Sequence, residues 1–191
     1  MDCWQDVKTP EQHLARSKEI LERFLPWEAE RCRNIELTDE MGTLSGRFAP
    51  TVRKPICKLP SGGLALGMAD VVVLNDPITG QGSNTASKAA SIYMRRILEH
   101  GDKPFDAAWM QQTFDAFWEY AQWVVTWTNS LLVPPEPQIL QLMGAASQIP
   151  ALASKISNGF NNPPDYHPWW FRPDEAEKLI QRLQAGGAPV A

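Results

Sequence analysis

The sequence predicts an α/β chain in which a few short strands are followed by a mainly helical region. Three observations predict it. Between Asn34 and Asp70 the pattern is of short extended pieces, "IELT", "TLSGRFAPTVRKP", "ICKLP" and "GLALGMADVVVL", punctuated by Gly42, Gly46, Pro50, Pro55 and Pro60. The last piece is nearly all apolar, as suits a buried, parallel-type strand covered on both faces. From Ser83 onward, apolar residues recur at helical spacing between proline and glycine breaks.

Taken in order, "TPEQHLARSKEILERFLP" marks a helix. Thr9 and Gln12 have the capping-box spacing, Pro10 occupies the first helical position and Pro26 stops the run. Leu14, Leu21, Phe24 and Leu25 fall on one face, which predicts that the helix packs on something. After the strand region, "SNTASKAASIYMRRILEHG" places Ala86, Ala89, Ala90, Tyr93, Ile97 and Leu98 near one face, with Gly101 as the stop. The next helix, "FDAAWMQQTFDAFWEYAQWVVTWTNSLL", is apolar over most of its surface, so burial is expected. Its Trp109, Phe114, Phe117, Trp118, Trp123 and Trp127 read as core at this spacing rather than as a substrate box. Pro134, Pro135 and Pro137 break the chain, and shorter helices follow near Gln138–Met143 and Ala151–Ile156. "NNPPDYHPWWFRP" reads as a non-helical arm whose Pro168–Trp170 segment covers a neighbouring surface. Pro173, Asp174 and Glu175 open a last amphipathic helix through Leu183, and the tail "AGGAPVA" is expected to fray.

Composition excludes several classes. Apolar residues make up 43% of the 191 and charged residues 21%, enough to build a core. A net charge of −4 provides no basic field for nucleic acid or an anionic membrane surface. No apolar run approaches the ~20 residues of a membrane span, and "MDCWQDVKTP" has no signal-peptide core. Cys3, Cys32 and Cys57 lack C-x-x-C spacing, which argues against a disulfide framework or a zinc site and fits a reducing cytoplasm. His13, His100 and His167 have no metal-ligand spacing, so no metal ligand is assigned. No G-x-S-x-G elbow is present, and Ser61 reads as a turn residue.

The chemistry concentrates in Asp70–Asn84, "DVVVLNDPITGQGSN", read as a strand, a turn-rich loop and a helix start. The phosphate-loop pattern fails at Ser87 and Ala89, which flank Lys88. The dinucleotide pattern G-x-G-x-x-G fails at Thr85, after Gly80 and Gly82. What is left is a loop whose glycines permit positive φ and let a flat ligand approach the main chain. It feeds a helix N-terminus whose free N–H groups favour an anionic or electron-rich edge.

Asp70, Asp76-Pro77, Gly80-Gln81-Gly82 and Asn84 resemble the second flavin-binding segment of FAD-dependent monooxygenases of the p-hydroxybenzoate hydroxylase type. The DP-x-x-GQG-x-N version is similar to the oxygenase (epoxidase) component of styrene monooxygenases. The likeness continues in "WTN" at Trp127–Asn129, "PPE" at Pro134–Glu136 and "FNNP" at Phe160–Pro163. One departure is Ala69, where the family has glycine before the aspartate.

That resemblance implies a C-terminal portion of such an enzyme, with the N-terminal Rossmann unit missing. Residues 1–60 would end the substrate-binding domain, 61–101 would form the second FAD segment and 102–191 the C-terminal helical region. It further implies that FAD is bound through Asp70, Asp76, Pro77, Gly80, Gln81, Gly82, Ser83 and Asn84. Asp70 would serve the ribityl–phosphate part, Pro77 the ring-side wall, and the loop amides the pyrimidine edge. No catalytic side chain is assigned, because a flavin C4a-hydroperoxide would oxidise the aromatic alkene, indole or sulfide. A flavin reductase would supply reduced FAD as the partner in a two-component system. The N-terminal half or a second copy of the chain would complete the assembly. Two other readings stand beside it: a non-catalytic, helix-rich interaction or remnant domain, and an aromatic-lined carrier of small molecules.

Overall fold

In a computed structural model, which describes residues 3–44, 46 and 48–186, the chain divides into two units, Met1–Phe48 and Ala49–Ala191. The first unit holds helix α1 (Pro10–Phe24) and the single turn α2 (Pro26–Ala29). The capping box forms as its spacing predicts. Thr9 Oγ1 accepts from Gln12 N at 3.3 Å, and Gln12 Oε1 accepts from Thr9 N at 3.2 Å. The apolar face of α1 is not buried: Phe24 is 63% and Leu25 42% exposed. None of the unit's described residues is buried, so the packing surface expected for α1 is not found within it.

The second unit begins with four short strands in two antiparallel pairs. β1 (Thr51–Val52) pairs with β4 (Val73–Leu74) in the register Thr51 to Leu74. β2 (Ile56–Lys58) and β3 (Leu64–Leu66) make a hairpin with Cys57 opposite Ala65. Two expectations are corrected here. The "IELT" piece at Ile35–Thr38 forms no strand, and of "TLSGRFAPTVRKP" only Thr51–Val52 does, with Ser45 and Arg47 outside the described residues. The apolar "DVVVL" run is not a two-faced parallel strand either. Ala69–Val71 coil into a 3-10 turn that turns Val71 outward, 67% exposed, and leaves Val72 and Val73 to enter the core.

Among the described residues five α-helices follow: α3 (Gly82–His100), α4 (Ala107–Ser130), α5 (Pro137–Ala146), α6 (Pro150–Gly159) and α7 (Pro173–Gln184), and the arm expected to be non-helical coils into a 3-10 turn over Pro163–Tyr166. Their ends follow local chemistry. Gly101 terminates α3 at φ +62°, where a Cβ is disfavoured, and Asp106 caps α4 by accepting from Trp109 N at 2.8 Å. Proline stands in the first turn of α5, α6 and α7. The residues of the "AGGAPVA" tail from Gly187 on lie outside the described residues.

Two apolar clusters hold the helices. The first joins Val72 and Val73 to Ala89 and Tyr93 of α3 and to Phe114, Phe117 and Ala121 of α4. Tyr93 donates its hydroxyl to Gly67 O at 3.0 Å, and burial pushes that phenol up to about 12. This contact fixes the rotation of α3. Its inner face is Thr85, Ala89 and Tyr93, whereas Ala90, Ile97 and Leu98, expected inside, are exposed.

The second cluster joins Trp127 at the end of α4 to α5, α6, α7 and the arm between α6 and α7. Here the expectation that Pro168–Trp170 covers a neighbouring surface is corrected. Trp169 and Trp170 are 6% and 1% exposed and lie in the unit's own core. Of the α4 aromatics, Phe114, Phe117 and Trp127 are buried and Trp109, Trp118 and Trp123 half-buried.

Candidate functional site

The segment from Asp76 to Asn84 is built in two steps. Asp76 accepts from Ile78 N at 2.9 Å, which caps a 3-10 turn over Pro77–Thr79 with proline at its first position. Gly80 ends that turn in the left-handed region, φ +63°, with its own N–H donated to Pro77 O at 2.9 Å. The chain then passes Gln81 and enters α3 at Gly82. The first α3 main-chain bond runs from Thr85 N to Gln81 O at 2.8 Å, and no side chain caps the helix. The amides of Gly82, Ser83 and Asn84 therefore form the first turn of a 19-residue helix and have no intrahelical acceptor. A helix N-terminus carries about half a positive charge, so these donors favour an anionic or electron-rich edge.

The front of this bend is open. A Cβ built on Gly80 or Gly82 meets nothing within 4 Å, and Gly80, Gly82, Ser83 and Asn84 are all exposed. Pro77 and Ile78 stand exposed beside it, Ile78 at 55%. The back is closed and tied down. Gln81 is 2% exposed and donates Nε2 to Phe160 O at 2.9 Å. Thr79, 5% exposed, shares a hydroxyl–hydroxyl bond of 2.8 Å with Thr128 of α4, 0% exposed. Trp127 packs edge-on to Phe160, with ring centroids 4.8 Å apart. Three motifs far apart in sequence, the loop, "WTN" and "FNNP", thus meet behind the bend. Two buried polar atoms beside it, Asn75 Nδ2 and Thr85 Oγ1, have no partner among the described residues.

Of the residues assigned from sequence, Asp76 to Asn84 come together in this one structure. Gln81 faces inward with its side chain, so toward the front it can offer only main chain. Asp76 spends a carboxylate oxygen on the turn. Asp70 stands exposed on the separate turn before β4. That turn is held by Arg53, whose Nη1 reaches Asp70 O and Val71 O, each at 3.3 Å, and whose N–H donates to Val72 O at 2.8 Å. Sequence reasoning missed Arg53, Thr79 and the hydrogen bonds that Thr128 and Phe160 make to the loop. The "WTN" and "FNNP" motifs pointed at the last two without indicating what they touch.

Ala69 is a strained residue here. Its φ is +52°, the left-handed region where a side chain costs roughly 1–2 kcal/mol and glycine nothing. Replacing it, Ala69→Gly, relieves that strain against an added ~0.4–1 kcal/mol of unfolded-chain entropy. We expect a net stabilisation of about 0.5 kcal/mol, read as a higher urea midpoint. A lower midpoint would mean that the methyl's packing outweighs the strain.

Residues 1–31 match the family model described as "Styrene monooxygenase A putative substrate binding domain". Over 162 residues, 81% of this chain, the sequence is 29% identical to styrene monooxygenase StyA of Pseudomonas fluorescens. It is 28% identical over 160 residues, again 81% of the chain, to a StyA of Pseudomonas sp. The chain is similar to styrene monooxygenase StyA along most of its length. This agrees with the family resemblance read from the sequence. The match spans 38% of the length of each relative. Among the described residues no helix is long and apolar enough to cross a membrane.

Proposed function

We propose that the chain is the C-terminal portion of an FAD-dependent, styrene monooxygenase-like oxygenase component that epoxidises a small aromatic alkene or oxidises an indole or sulfide. The observation that carries this reading is the uncapped first turn of α3 behind an open, glycine-lined bend. The donor set suits a flavin. Three main-chain N–H groups at a helix start match the pyrimidine edge of the ring, where reduced flavin gathers negative charge. The absence of Cβ atoms at Gly80 and Gly82 lets a flat ring approach the main chain, and Pro77 with Ile78 provides an apolar wall.

In this reading bound FAD supplies the oxygen-activating redox chemistry. The chain's residues bind and orient. Gly82, Ser83 and Asn84 donate main-chain hydrogen bonds to the ring's electron-rich edge. Asp76 keeps the turn closed, and Gln81 anchors the loop. The exposed Asp70 carboxylate accepts from sugar-like hydroxyls. Residues 1–60 belong to the end of a substrate-binding domain, a reading supported by the family match over 1–31. Residues 61–101 are the flavin segment and 102–191 the helical region behind it. A separate flavin reductase delivers reduced FAD, and the remaining polypeptide of the flavoprotein completes the cofactor site.

Titration of the 191-residue chain with FAD, followed by visible circular dichroism, tests this. The expected result is a weak but saturable flavin signal, with no epoxide formed from styrene and reduced FAD. Tight binding with turnover by the isolated chain would refute the partial-protein reading. A flat titration at millimolar FAD would remove the flavin reading and leave a non-catalytic remnant.

A further inference from the structure

We propose that the C-terminal helical region is a clasp for the bend. Thr128 of α4 and the main-chain carbonyl of Phe160, through Thr79 and Gln81, are positioning groups that set the direction of the first-turn amides of α3.

Thr79, Gln81 and Thr128 are 5%, 2% and 0% exposed, and buried polar side chains persist where their hydrogen bonds are made. The two bonds that satisfy them are both long-range. Thr79 reaches Thr128 across 49 residues at 2.8 Å, and Gln81 reaches Phe160 across 79 residues at 2.9 Å. They grip the loop on either side of Gly80, the residue whose left-handed φ redirects the chain into α3. A glycine pivot is soft by itself, and fixing the residues before and after it removes that freedom.

Gln81 is also linked to the helix it precedes. Its Oε1 accepts from Asn84 Nδ2 at 3.4 Å, and its carbonyl takes the first helical bond, from Thr85. One side chain thus connects the helical region to the first turn of α3. The loop supplies donors in front and the helical region holds them from behind. Neither Thr128 nor Phe160 needs to touch a ligand for this. Deamidated or shortened, the Gln81 side chain loses the Nε2 donor that Phe160 O accepts, while Gly80 and the open front stay unchanged.

Hydrogen exchange on the full chain reads the clasp directly, because the amides of Ile78, Gly80 and Thr85 are all bonded inside residues 76–86. In Thr128→Val and Gln81→Leu, exchange of this segment should speed up about tenfold, the loss of one buried hydrogen bond. Exchange in α7 should stay within twofold, and Thr128→Ser should restore the loop to wild-type rates. Unchanged loop exchange in both variants would overturn the proposal. So would an equal acceleration in loop and α7, which would make these residues general core.

A second arm rests on the flavin reading. The visible circular dichroism of the chain with FAD should weaken in Thr128→Val and return in Thr128→Ser. An FAD signal that is indifferent to a loosened loop would overturn the positioning role. No FAD signal in wild type would instead count against the flavin reading, and the exchange arm would decide the clasp without it.

Discussion

Gly159→Ala should destabilise the second unit by about 3 kcal/mol, the upper end of what overpacking a core costs. Gly159 is the buried last residue of α6, and its missing side chain is where Tyr166 lies. A Cβ there would sit 2.6 Å from Cε2 and 2.8 Å from Cε1 of the tyrosine ring, and closer still to Cζ. The ring cannot step aside cheaply. It is 0% exposed, donates its hydroxyl to Ile156 O at 2.6 Å and stacks on Trp127 with centroids 4.5 Å apart. Burial also raises its phenol pKa, in keeping with a group far from solvent. Helix propensity works the other way, since alanine is better than glycine by about 1 kcal/mol inside a helix. Gly144→Ala isolates that opposing effect. Gly144 lies within α5 and a Cβ on it meets nothing within 4 Å, so this variant should gain up to about 1 kcal/mol. Urea denaturation of the two variants should therefore give shifts of opposite sign. A Gly159→Ala variant that is as stable as wild type or more so would mean that Tyr166 does not fill the space over Gly159.

Trp170→Ala should cost about 3–5 kcal/mol, or roughly 2–4 °C of Tm for each kcal/mol. Its indole is 1% exposed and packs edge-on against Tyr166 and Trp169, with centroids at 5.1 and 6.0 Å. The indole N–H donates to Ser130 Oγ at 3.1 Å, and Ser130 Oγ donates to Trp127 O at 2.7 Å. The arm is thereby bonded to the end of α4 as well as packed against it. Trp170→Phe keeps most of the ring, drops the hydrogen bond and should cost about 1–2 kcal/mol. Thermal melts with near-ultraviolet circular dichroism separate the two variants. A Trp170→Ala chain that melts within a degree of wild type would place the arm outside the core. The same core holds Trp127, which neighbours Thr128 in α4 and packs edge-on to Phe160 behind the bend.

Much of the helical layout is legible in the sequence. The capping box of Thr9 and Gln12, the prolines that open α5, α6 and α7, and Gly101 closing α3 are decided within four or five residues of themselves. So is the bend, since Asp76, Pro77 and Gly80 act on their own neighbours. What failed was the reading of the apolar "DVVVL" run. Its hydrophobicity was real, but a left-handed Ala69 and the Arg53 clamp coil the chain before it can extend.

By itself, then, the sequence determined where helices begin and end, where the chain turns and which loop leaves amides unpaired. Those outcomes depend on capping, proline geometry and glycine's freedom, all short-range. Only the tertiary structure decided which face of α3 is buried, that Trp169 and Trp170 are core, and that Thr128 and Phe160 bond to the bend. Those depend on contacts between residues 26 to 79 positions apart, as in Tyr93 with Gly67, Trp170 with Ser130, Thr79 with Thr128 and Gln81 with Phe160. Such pairs are chosen by how helices pack, and no local pattern encodes that choice.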